Sequence, residues 1–117
     1  LKIMMACTDG TLSDTPVKFF EKSACCVIMA SEGYPTKYAK GFPITIDADI
    51  EAEVYVAGAK KVGDDILSDG GRVLGVTAVE PTLAEAIEAS YDMLDRIDFA
   101  NKYYRADIGQ RALKAVR

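Results

Sequence analysis

Asp69-Gly70-Gly71-Arg72-Val73-Leu74-Gly75-Val76-Thr77 is the stretch from which the fold can be read. Two glycines free the backbone at a turn, and an arginine follows at once. A β-branched apolar run then begins that is too short for a typical helix. The order reads as turn, cation at a strand entrance, buried strand. The strand is expected to run from Arg72 to Glu80. Leu74, Val76 and Ala78 fall on one face, and Val73, Gly75, Thr77 and Val79 on the other. Gly75 marks a place where something packs close against the backbone. A guanidinium at the mouth of a strand matches the planar oxygens of phosphate or carboxylate. On the residues alone, Arg72 is either such a ligand or an idle surface charge.

Upstream of this stretch, Ile66-Leu67-Ser68 reads as a short strand, and Ala52 to Ala57 as another, with Val54 and Val56 on one face. Gly58 to Asp65 between them reads as a connection or hairpin tip. If residues 54–57 pair with 66–68, Lys60 or Lys61 lies in that connection, and a lysine can reach the pocket of Arg72. Otherwise these cations are simply solvated. Asp47-Ala48-Asp49-Ile50-Glu51 lacks the glycine and closing glutamate of a calcium loop and reads as wet surface.

Ala24-Cys25-Cys26-Val27-Ile28-Met29-Ala30 is apolar on both faces of a pleat. It is expected to be a central strand, buried on two sides, beside Arg72–Glu80. Val17 to Glu21 also has strand composition. Ser31-Glu32-Gly33-Tyr34-Pro35 then breaks the pattern. A loop rich in Tyr, Lys and Glu beside a buried strand is either a site or an exposed connection. Residues 1 to 10 read as a helix capped by Gly10. Leu1 to Cys7 resembles the last turns of a helix begun earlier, so the chain is expected to be a piece of a longer protein.

Downstream, Thr82-Leu83-Ala84-Glu85 is a capping box. Leu83, Ala86, Ile87, Tyr91, Leu94 and Ile97 then mark one face of a helix of about four turns. Asp98 to Gly109 is irregular and aromatic, with Arg105 and Asp107 forming a local ion pair. Residues 110–116 read as a short C-terminal helix.

The 117 residues suit one domain with a real core, and half of them are hydrophobic. A net charge of −4 argues against a nucleic-acid surface. No apolar run is long enough to span a membrane, no signal-peptide pattern is present, and three cysteines make a disulfide framework improbable. The expectation is a cytoplasmic chain with no membrane partner. With no histidine, a zinc site, a Ser-His triad or a histidine base is ruled out within it.

Five blocks occur in order: Ala30-Ser31-Glu32-Gly33-Tyr34-Pro35, Lys40-Gly41-Phe42-Pro43-Ile44, Ala57-Gly58-Ala59-Lys60, Gly70 to Thr77, and Tyr104-Arg105-Ala106-Asp107-Ile108-Gly109. Together they resemble the C-terminal portion of the phosphoribosylamine–glycine ligase family, within the ATP-grasp superfamily. The resemblance implies an α+β fold, a mainly antiparallel sheet with flanking helices of the rudimentary hybrid-motif type. Residues 1–12 would be the tail of an upstream ATP-grasp region, and residues 13–117 the C-terminal domain. It further implies an enzyme of purine synthesis that joins glycine to 5-phosphoribosylamine, using ATP and magnesium held upstream. The products are glycinamide ribonucleotide, ADP and phosphate. Alone, the chain should be inactive and bind no cofactor, with no metal site and no catalytic residue of its own. Its implied contribution is substrate-phosphate recognition by Arg72 and Lys60, with Ser31, Glu32, Gly33 and Tyr34 bordering the cleft. Val56 to Lys60 lacks the histidine and threonine common in the family's block. Two other readings are the matching domain of another ATP-grasp carboxylase and a non-catalytic small-molecule-binding domain.

Overall fold

The computed structural model describes residues 1–115. Its centre is a four-stranded antiparallel sheet in the order β3-β6-β1-β8, formed by β3 (Glu53–Val56), β6 (Arg72–Glu80), β1 (Ser23–Ser31) and β8 (Lys102–Tyr103). Two small ribbons flank it. One joins β2 (Thr45–Ile46) to β7 (Ile97–Asp98), the other β4 (Ala59–Val62) to β5 (Asp65–Ser68). Helices α1 (Lys2–Asp9), α2 (Leu83–Leu94) and α3 (Gln110–Ala115) complete the described residues. The architecture is the α+β one expected, with strand β6 at its expected limits and beside β1. Val116, the last residue of the expected C-terminal helix, lies outside the described residues.

One helix covers one face of the sheet. Val27, Met29, Leu74 and Val76 pack with Ala86, Ile87, Leu94, Ile97 and Phe99 in a single core. The capping box is complete: the Glu85 amide donates to Thr82 Oγ1, and the Thr82 amide to Glu85 Oε2. Ser90, on the same helix, is fully buried. Its hydroxyl donates to the Cys25 carbonyl at 2.7 Å and accepts from the Ala78 amide at 3.2 Å. One side chain thereby stitches the helix to both central strands, because Cys25 and Ala78 are opposite each other in the ladder.

Several expectations need correction. Strand β1 is buried on one face only: Cys25, Val27, Met29 and Ser31 point into the core, while Cys26 and Ile28 stay exposed. The sheet carries a helix layer on one side, so apolar composition on both faces does not mean burial on both. Val17–Glu21 forms no strand; no partner edge is offered among the described residues, and Phe19 and Phe20 are about nine-tenths exposed. Residues 54–57 do not pair with 66–68. Strand β3 pairs with β6, placing Val54 opposite Val76, whereas β5 pairs with β4. Lys60 and Lys61 therefore lie within a strand, and the hairpin tip is Gly63-Asp64. Helix α2 stops at Leu94; Ile97 is buried from β7 instead. Strand β8 lies within the stretch expected to be irregular, as does Asp98 of β7.

Side-chain direction also departs from simple alternation along β6. Met29 is opposite Leu74, but Ala30 is opposite Arg72, so β6 carries one extra residue, Val73, at a bulge. Val73 consequently leaves the Gly75–Thr77 face and is fully buried with Leu74.

Candidate functional site

The bulge decides what Arg72 can do. In an unbroken antiparallel ladder, Arg72 would sit opposite Ser31, which faces the core. The extra residue sets it opposite Ala30 instead, on the open face. Ala30 is also opposite Tyr103 of β8. Arg72, Ala30 and Tyr103 thus form one row across three strands, with a methyl side chain between the two large ones.

That row borders a cleft of about 780 Å³ on the open face. Cys26, Ile28 and Ala30 floor it; Tyr34 and Pro35 close one side, and residues 103–108 the other. Arg72 also borders a smaller cleft of about 480 Å³ with Tyr34, Ala57, Gly58 and Gly71. Among the described residues Arg72 makes no ion pair. Its guanidinium is thus available to an anion.

The turn before Arg72 is held on three sides. Ser31, fully buried, donates its hydroxyl to the Gly70 carbonyl at 2.9 Å and its amide to the Gly71 carbonyl at 2.8 Å. The Gly58 amide donates to the Arg72 carbonyl at 2.8 Å. A methyl group built on Gly71 would lie 1.9 Å from Tyr34 Cδ2, so the ring packs directly against that glycine. Glycine is required here by close approach rather than by turn geometry. Tyr34 in turn meets Tyr38 edge-on, with ring centroids 5.8 Å apart.

Of the expected loop residues, Tyr34 reaches both clefts and Ser31 fixes the turn from beneath. Glu32 is tied through its amide to the Asn101 carbonyl at 2.8 Å. Gly33 takes a positive φ of 90°. Lys60 borders neither cleft. Its ammonium lies 3.3 Å from Asp69 Oδ1, both groups partly exposed, while Arg72 stands at the cleft. Arg72 and Tyr34 are brought together at both clefts; Lys60 pairs with Asp69 and lines neither.

From the sequence alone, Arg105 is only half of an ion pair. The pair is present and two-pronged: Arg105 Nε to Asp107 Oδ1 at 2.8 Å, and Nη2 to Oδ2 at 2.6 Å. Bonding to the guanidinium holds the Asp107 carboxyl below the usual carboxylate range. Arg105 also borders the larger cleft, which only the return of residues 103–108 beside β1 could reveal. Burial pushes the Cys25 thiol pKa up.

Fold and cleft together define an α+β domain that presents a guanidinium on the uncovered face of an antiparallel sheet. The model of the family described as phosphoribosylglycinamide synthetase, C domain, matches residues 24–111, and the chain belongs to that family. It is 41% identical over 116 residues to the phosphoribosylamine–glycine ligase of Synechocystis sp., covering 96% of this chain and 28% of that protein. A bifunctional purine biosynthetic protein of Dictyostelium discoideum is 40% identical over 119 residues, covering 96% of this chain and 14% of its own. The crystal structure of phosphoribosylamine–glycine ligase from Thermotoga maritima superposes with a TM-score of 0.68 at 33% identity. It covers 73% of this chain and 21% of that one. The chain thus spans little more than a quarter of the length of the single-function ligases it matches.

Proposed function

We propose that this chain is the C-terminal domain of a cytoplasmic ligase joining glycine to 5-phosphoribosylamine, and that it supplies recognition of the substrate phosphate. Residues 1–12 then form the tail of an upstream ATP-grasp region and residues 13–117 the domain. The named relatives, ligases of which this chain matches about a quarter, support that reading. ATP and magnesium belong to the upstream region. Among the described residues, no group of three or more His, Cys, Asp or Glu side chains fits a metal ion, and no helix is long and apolar enough to cross a membrane. In such a ligase the glycine carboxylate is activated as an acyl phosphate. The ribosylamine nitrogen then attacks its carbonyl carbon and inorganic phosphate leaves. This chemistry rests on positioning and charge neutralisation, so a chain without a nucleophile or histidine can still contribute to it.

The observation that carries the proposal is the bulge-directed Arg72 at the cleft, without an ion-pair partner among the described residues. Its planar fork suits two phosphate oxygens. Lys60 is the second proposed ligand, reached when its ammonium leaves Asp69. In the full-length enzyme, Arg72→Ala should raise KM for phosphoribosylamine far more than KM for ATP, at a cost on the order of 1.5–3 kcal/mol. Lys60→Ala should raise it less. An Arg72→Ala enzyme with wild-type KM for the ribosylamine removes the phosphate role.

A further inference from the structure

The larger cleft gathers two guanidiniums and one carboxylate, Asp107, in a chain whose net charge is −4. Arg72 enters from β6, and Arg105 from the segment that follows β8. Arg105 is anchored with unusual thoroughness for an exposed side chain. Asp107 grips it by two hydrogen bonds. Tyr91, on helix α2, accepts from the Ile108 amide at 3.0 Å and donates its hydroxyl to the Arg105 carbonyl. As a stabiliser an exposed pair contributes little. As a device for aiming a guanidinium it is effective: the two-pronged grip uses Nε and one Nη2 hydrogen and leaves the remaining donors free. The cleft between the two arginines is floored by Ile28 and Ala30 and flanked by Tyr34 and Tyr104, so it offers charge at its borders and apolar surface within.

We infer that Arg105 is a second guanidinium of the anion site, acting with Arg72 on one phosphate-bearing ligand, and that Asp107 is its positioning residue. The inference rests on the phosphate reading of Arg72 and deepens it.

The test is steady-state kinetics and thermal unfolding of the full-length enzyme carrying Arg72→Ala, Arg105→Ala, Arg105→Lys or Asp107→Asn. Arg105→Ala should raise KM for phosphoribosylamine roughly tenfold or more, leaving KM for ATP and glycine in place. Arg105→Lys should recover part of that loss, since an ammonium keeps the charge without the fork. Asp107→Asn should raise the same KM by a smaller factor, with the unfolding midpoint little changed. If Arg72→Ala raises this KM and Arg105→Ala does not, Arg105 is removed from the site and Arg72 stays. If neither raises it, the phosphate reading itself falls. A parallel rise in all three KM values, or a fall in unfolding midpoint that Arg105→Lys does not reverse, assigns Arg105 to the fold and overturns the inference. Should Arg105→Ala fail to fold, Arg105→Lys decides: a wild-type KM for the ribosylamine overturns it.

Discussion

At Gly71 the site depends on an atom that is not there. The Tyr34 ring occupies the space a β-carbon would need, with Cδ2 only 1.9 Å from its ideal position. Gly71→Ala should therefore displace Tyr34 and cost about 1–3 kcal/mol as an overpacking change. Thermal unfolding measures the cost. The same variant should disturb both clefts that Tyr34 and Arg72 share, so ligand affinity should fall along with stability. A stable Gly71→Ala protein with unchanged unfolding midpoint would show that Tyr34 moves freely. Residue by residue, the arginine and the glycine pair were legible because turn and strand each have a local chemistry. Tyr34 on Gly71 was not, since residues 37 positions apart meet only after β1 and β6 pair.

Among the elements, α2 shows how local signals and long-range ones divide. Its start was plain from Thr82 and Glu85, whose hydrogen bonds span three residues. The role of Ser90 was hidden, because its partners Cys25 and Ala78 come from strands far away in the chain. A serine on the apolar face of a helix is the only trace it leaves. Ser90→Ala should destabilise the protein by about 1–3 kcal/mol, because it strips a partner from two buried backbone groups. Denaturant unfolding reads the loss. A change near zero would mean that the Cys25 carbonyl and the Ala78 amide bond each other directly. Composition misled at Val17–Glu21 for a related reason: a strand is a pairing, and propensity without a partner edge yields exposed phenylalanines.

On the scale of the whole molecule, the sheet is a layer with one side covered. Helix α2 buries one face, while Ile28, Tyr55, Val79 and Tyr103 are exposed. Periodicity reports which residues alternate; it cannot report whether a second layer exists to cover them. The chain also matches little more than a quarter of its ligase relatives. Without an upstream nucleotide-binding region it should release no ADP from ATP in the presence of glycine and phosphoribosylamine. A coupled ADP assay on the isolated 117-residue chain checks this, and measurable turnover would overturn the assignment of ATP chemistry to the upstream region.

The extra residue in β6 sets the phase of the strand. A strand obeys a rule of parity, odd positions to one side and even to the other, and the bulge at Val73 is a single change of parity in an otherwise regular ladder. From Leu74 to Ala78 the even positions face the core, whereas Arg72, the even position before Val73, faces the open side. Straightening the ladder with Val73 in place would set Arg72 opposite Ser31 and turn it to the core, whereas deleting Val73 would close the bulge and leave Arg72 opposite Ala30 on the open face. The guanidinium reaches the cleft because one residue of its own strand steps out of the ladder.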